Sequence, residues 1–188
     1  MVAPTNNPVV SSVPLYGPSY LLGETTNQFQ PLKSSTWNVV IPSPLLGTEV
    51  IAGYACFTTD GASVLNSGSG FTLANLVGFA ENQYFNEWDV GSLTGSDTLG
   101  DYFTISVCEI GTIYVYNSTA IVTTISSGAK IVLTVTGGTT PAAIKLGSLI
   151  QGSDPAGSTT LDVSTVVKIR TANSTVGGGV LVDILKSA

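Results

Sequence analysis

Apolar and polar positions alternate with a period of two through much of the chain, most clearly over Gly100 to Tyr116, GDYFTISVCEIGTIYVY. Phe103, Ile105 and Val107 alternate there with Tyr102, Thr104, Ser106 and Cys108. That spacing sends one set to a buried sheet face and the other outward. Beyond Ile110-Gly111 the alternation resumes, with Ile113 and Val115 against Thr112, Tyr114 and Tyr116. The pattern predicts two strands folded back as a hairpin at Ile110-Gly111, with coincident apolar faces, at the centre of a sheet.

Shorter runs of the same kind flank it. Trp37 to Ile41 reads as a strand closed by Pro42 and Pro44, and Glu49 to Phe57 as another, with Val50, Ala52, Tyr54 and Cys56 on one face. Asp60-Gly61 is a turn signal, Asn66 to Gly70 a flexible loop, and Phe71 to Ala80 a return to the sheet. Ala120 to Ile125, Lys130 to Val135, Ala143 to Ile150, Val163 to Arg170 and Val180 to Leu185 complete the set. Ser126-Ser127-Gly128, Gly137-Gly138, Gly152 to Gly157 and Gly177-Gly178-Gly179 separate them. About ten short strands with almost no 3.6-residue periodicity predict an all-β fold, a β-sandwich or β-barrel.

The first 36 residues differ, carrying Pro4, Pro8, Pro14, Pro18 and Pro31. Repeated prolines forbid helix and remove ladder donors, which predicts an extended N-terminal arm. Leu15, Tyr16, Tyr20 and Phe29 make it too apolar for a purely disordered tail, so it is expected to pack on its own domain or on a neighbouring subunit. The expected organisation is an extended Pro-rich arm over 1–36 and an all-β domain over 37–188.

Composition narrows the function. Of 188 residues only 10% are charged, against about a quarter in ordinary soluble domains. Ser, Thr, Asn and Gly take their place, giving a neutral, hydroxyl-rich surface suited to broad contact with neighbours. The six basic residues are scattered and the net charge is −6, which disfavours nucleic acid because no patch neutralises phosphates. Histidine is absent, removing the usual general base and the commonest metal ligand. No run of about 18 apolar residues spans a membrane, and MVAPTNNPVV lacks the basic and apolar regions of a secretory signal. Cys56 and Cys108 sit in apolar alternating runs as small hydrophobes, with a bridge between them left open.

Asp89, Asp97 and Asp101 fall in one region, yet their spacing matches no calcium loop, so solvated acids are expected there. Glu81 and Glu87 resemble a glycosidase pair only in being two carboxylates. Gly177-Gly178-Gly179 lacks the lysine of a phosphate loop. The Asn117-Ser118-Thr119 and Asn173-Ser174-Thr175 sequons are read as chance. Without histidine no Ser-His-Asp triad forms. The expectation is a protein that is not an enzyme, with no cofactor and no metal. Tyr84, Phe85 and Trp88, in the irregular polar stretch between Glu81 and Thr98, are the candidates for partner binding on loops, together with Leu15, Tyr16, Tyr20 and Phe29 of the arm.

Laid out in order, GTEVIAGYACF, NLVGFAENQ, DYFTISVCEIGTIYVY, SSGAKIVLTV, AIKLGSLIQGSDPAGSTT and VLVDIL resemble the head-decoration, or structural cement, proteins of tailed bacteriophages. Val50-Ile51-Ala52-Gly53, Val77-Gly78-Phe79-Ala80, Val107 to Val115, and Leu146-Gly147 to Gly157 carry the likeness. The resemblance runs from about Gly47 to Leu185. Lys130-Ile131-Val132 stands where the family has Gly-Asp-x-Val, and the first 36 residues have no family counterpart. What the resemblance implies is a non-enzymatic virion protein on the outer surface of a capsid head, bound to the major capsid protein. It also implies a homo-oligomer, with a trimer favoured. The alternative is a carbohydrate-binding or host-adhesion β domain in which Tyr84, Phe85 and Trp88 stack on sugar rings.

Overall fold

The computed structural model of the chain describes residues 22–23, 33–39, 52–81, 104–122, 124, 128–136 and 144–185. Through them run β1 (Lys33–Val39), β2 (Ala55–Phe57), β3 (Ser63–Val64), β4 (Leu76–Ala80), β5 (Thr104–Val115), β6 (Ala129–Val135), β7 (Leu149–Gln151), β8 (Ser158–Asp162), β9 (Val167–Ile169) and β10 (Val180–Leu185). A 3-10 turn at Leu73–Asn75 is the only helical element among the described residues. The fold is all-β, as the alternation predicts.

Five strands follow one another in the order β2-β4-β5-β1-β3. The path then returns on itself: Phe57 at the end of β2 exchanges backbone hydrogen bonds of 2.8 and 3.0 Å with Leu65 just beyond β3. The result is a nearly closed barrel. β10 and β9 extend the same sheet from β5, and β7-β6-β8 form a second sheet.

β5 is the strand both cores share, and here the structure corrects the expected hairpin. Thr104 to Val115 is one continuous strand, and β10 pairs straight through the supposed turn, with Ile184 opposite Gly111 and Leu185 opposite Ile110. The break in the alternation is a β-bulge. Lys33 lies opposite Ile110 but Ser34 opposite Cys108, so Glu109 is an extra residue on β5. A one-residue insertion flips every side chain beyond it to the other face. Ile105 and Val107 accordingly point into the barrel, whereas Ile113 and Val115, of the same parity in sequence, join the other cluster. Gly111, at φ 144°, accommodates the bend with a conformation that side-chain-bearing residues avoid.

Each face of the sheet has its own core. Inside the barrel lie Cys56, Val64, Val77, Ala80, Ile105 and Val107, with Trp37 packed against them, one or more from each of the five strands. On the outer face Phe57, Leu76, Phe79, Cys108, Ile113, Val115, Val167, Ile169, Val180, Val182 and Ile184 meet Ala129, Ile131, Leu133 and Leu149 of the second sheet. Phe57 and Phe79 are fully buried, each contributing about 1.5–3 kcal/mol by leaving water.

Other boundaries shift for local reasons. β1 begins at Lys33, so residues 33–36 of the expected arm belong to the sheet. Of the strand expected over 49–57, the described part from Ala52 is regular only from Ala55, because Gly53 takes φ 78° to donate to Ala80 O at 2.8 Å and accept from Tyr116 N at 3.0 Å. Of the strand expected over Ala143 to Ile150, the described part from Ile144 is likewise a strand only from Leu149, after a turn at Gly147 (φ 75°). The expected strand over Val163 to Arg170 is regular only over Val167–Ile169, preceded by a turn in which Val166 N donates to Val163 O at 2.9 Å. β8 falls where the turn-rich stretch was expected simply to give way to Val163. The expected flexible loop is anchored at its start: Asn66 and Ser67 are buried, and Asn66 Nδ2 donates to Ala55 O at 2.9 Å.

Candidate functional site

Six acidic residues lie among the described residues, and each carboxylate is engaged by donors of its own chain. Asp60 accepts from Thr58 Oγ1, from the Ala62 and Ser63 amides and from Ser63 Oγ, which folds the 58–63 connection into a capped turn. Glu81 accepts from Ser34 and Ser106, and Glu109 from Ser35 while pairing with Lys33 Nζ at 2.7 Å. Asp154 takes Lys130 Nζ at 2.7 Å and Thr160 Oγ1 at 2.8 Å. Asp162 accepts from the amide and hydroxyl of Ser164. Asp183 accepts from Thr112 Oγ1 at 2.7 Å and pairs with Arg170.

These bonds set the electrostatics. The Ser63 hydroxyl and the nearby amides hold the Asp60 carboxyl well below its ordinary range. The Lys130 ammonium and Thr160 do the same for Asp154, and Ser164 for Asp162. Burial works against the charge on Glu109, but Lys33 and Ser35 together outweigh it, and this carboxyl too titrates low. Carboxylates held this way stabilise the anion. Asp60, Glu109, Asp154 and Asp162 are therefore held as anions at neutral pH. Among the described residues no three His, Cys, Asp or Glu side chains gather as a metal site.

Cys56 and Cys108 are free and buried. They flank β4 from opposite neighbouring strands, Cys56 opposite Gly78 and Cys108 opposite Phe79, and point to opposite faces of the sheet. Burial pushes the Cys56 thiol up, and burial followed by the charges of Glu81 and Glu109 pushes the Cys108 thiol up to about 12. Both are packing groups at neutral pH.

The two sequons turn out to share one structural task. Asn117 is fully buried. Its Nδ2 donates to Thr119 O and Thr175 O, both at 2.9 Å, and its Oδ1 accepts from Gly179 N at 2.7 Å. Asn173 Nδ2 donates to Gly179 O at 2.8 Å, while Tyr114 Oη donates to Gly178 O at 2.6 Å. The exposed 174–178 loop is thereby pinned, carrying Val176 at its surface. A buried amide with every polar atom bonded is unavailable to a glycan. The sequence signal for this role was the Asn itself ahead of a turn, since Asn side chains bond backbone two residues on.

The partner-binding candidates Leu15, Tyr16, Tyr20, Phe29, Tyr84, Phe85 and Trp88 all lie outside the described residues, as do Glu87, Asp89, Asp97 and Asp101. What the described residues present outward is mostly hydroxyl and amide. Thr134 and Thr159 bond across β6 and β8 at 2.5 Å, and Thr136 and Ser158 bond carbonyls of the neighbouring turn. Val122, Val176 and Leu185 are the large exposed apolar side chains among them. In comparisons with known proteins, the chain matches no family model and no curated protein.

Proposed function

We propose that this protein is a non-enzymatic structural component of a virion, binding the outer surface of a tailed-phage capsid as a homo-oligomer, a trimer, and cementing neighbouring copies of the major capsid protein. The observation that carries this reading is the disposition of the acids: all six in the described residues are tied into turns and strand pairs of the same molecule. A surface whose charges are already satisfied has few ions to desolvate on contact, and interface cores are depleted of charge for that reason. The all-β frame supplies a stiff surface, which keeps the ordering cost of association low. Many copies on one shell then turn modest single-site affinity into avidity.

The test is to add the purified protein to capsid shells stripped of decoration and to count intact particles by negative-stain microscopy after heating or exposure to low salt. Bound protein and a larger intact fraction are expected. Absence of binding together with unchanged shells would refute the reading.

A further inference from the structure

We propose that β1 is a releasable strand, fastened into the barrel by a two-carboxylate latch made of Glu81 and Glu109. The inference concerns the barrel itself and stands independently of the capsid reading. β1 occupies an interior place in the sheet, between β5 and β3. Interior strands are ordinarily held by buried side chains on at least one face. β2, β3, β4 and β5 all send fully or nearly fully buried residues into the barrel, namely Cys56, Val64, Val77 with Ala80, and Ile105 with Val107. Of the β1 side chains from Lys33 to Asn38 none is buried, and the half-buried Trp37 is the single one packed on the barrel cluster. Its parallel pairing with β3 covers just two residues, Asn38 opposite Ser63 and Val39 opposite Val64.

What β1 lacks in burial over Lys33 to Asn38 it makes up in polar fastening. Glu81, directly after β4, accepts from Ser34 of β1 and from Ser106 of β5, spanning three strands. Glu109 stands at the bulge of β5, where it pairs with Lys33 and accepts from Ser35. Ser35 Oγ in turn accepts from Trp37 Nε1 at 2.5 Å. A continuous chain thus runs from the carboxylate through a hydroxyl to Trp37, the apolar anchor among Lys33 to Asn38. Charge-assisted bonds of this kind are about twice as strong as neutral ones.

The charged and titratable groups around the latch are few among the described residues. β1 offers Lys33, the end of β4 Glu81, and β5 the buried Cys108 thiol. On β10 the nearest charge, Asp183, is committed to Thr112 and Arg170. Protonating Glu109 therefore removes its ion pair with Lys33. Because Lys33 and Ser35 outweigh burial and hold Glu109 below its ordinary range, its contribution is complete at neutral pH and is lost as the pH falls through that lowered value. Weakly buried segments open locally before the whole domain unfolds.

Trp37 reports on this directly. In a Trp88→Phe protein it is the sole tryptophan of the two in the chain, and its acrylamide quenching is followed from neutral to acid pH beside the far-ultraviolet strand signal. Quenching should rise while the strand signal persists, with the opened population gaining about tenfold per pKa unit of latch stabilisation lost. In the Glu81→Gln/Glu109→Gln protein quenching should already be high at neutral pH and its acid step should vanish. Should that variant not fold, Ser34→Ala/Ser35→Ala, which keeps both charges, should raise neutral-pH quenching. Trp37 shielding that holds until the strand signal itself collapses, or an acid step that survives both glutamine substitutions, overturns the proposal.

Discussion

Replacing Asn117 by alanine tests how the end of the molecule near the 174–178 loop is built. The side chain is fully buried and its amide makes three hydrogen bonds, to Thr119 O, Thr175 O and Gly179 N. The two carbonyls sit on residues that keep some exposure, so water can replace the lost donors, and each costs about 0.5–1 kcal/mol. The Gly179 amide is different, because Gly179 is buried and an orphaned buried donor costs about 1–3 kcal/mol. Together the substitution should destabilise by roughly 3 kcal/mol. With a urea slope of about 2 kcal/mol/M, the unfolding midpoint should fall by about 1.5 M at unchanged slope. Asn173→Ala is the control: its side chain bonds Gly179 O and Thr175 N from a half-exposed position, and the loss should be under half as large. An Asn117→Ala midpoint within about 0.5 M of the parent, or a larger loss for Asn173→Ala, would refute the reasoning.

Two further outcomes follow from close packing around β4. A Cβ on Gly78 would lie 2.0 Å from Cys108 O and 2.8 Å from its carbonyl carbon, so Gly78→Ala must push β4 from β5 and should cost more than the roughly 1–3 kcal/mol of ordinary overpacking; a parental urea midpoint would contradict so tight an approach. Cys56 and Cys108, both buried and free with thiols titrating high, should resist Ellman's reagent at mildly alkaline pH and react only on denaturation, and prompt labelling of the folded protein would show the cores to be open.

The strand character of the chain was legible because alternation survives wherever one face is buried, as in Val180, Val182 and Ile184 of β10. What alternation cannot distinguish is a turn from a bulge. Both interrupt the period for one or two residues, and Ile110-Gly111 satisfies either. Only the partners decide: β1 and β10 pair with β5 on the two sides of the bulge, with Ile110 opposite both Lys33 and Leu185, and neither pairing is visible in the local sequence. The short strands failed for a related reason. β8, Ser-Thr-Thr-Leu-Asp, has no fully buried side chain and so leaves no hydrophobic period to read; its place comes from β6 alongside it. The carboxylate contacts were equally hidden, because Ser34 and Glu81 are 47 positions apart and Ser35 and Glu109 are 74 apart. The Asn117 clamp was visible in the chain only as a sequon read as chance, because its partners Thr175 and Gly179 lie 58 and 62 positions away.

The distribution of charge gives the remaining step. Among the described residues Lys33, Lys130, Lys145, Lys168 and Arg170 stand against Asp60, Glu81, Glu109, Asp154, Asp162 and Asp183, so the double-cored frame is close to neutral. The other acids, Glu24, Glu49, Glu87, Asp89, Asp97 and Asp101, fall in sequence stretches outside the described residues, where Lys186 is the one Lys or Arg. Charge on the frame is spent on holding β1, the 58–63 turn and the second sheet in register. A partner meeting the frame meets chiefly hydroxyls, amides and a few apolar side chains such as Val176. Such contact is short-ranged and depends on shape, whereas long-range attraction or repulsion must originate in the acidic stretches and is screened by salt. The bulge at Glu109 is what makes the frame possible, because it lets a single strand serve two cores on opposite faces.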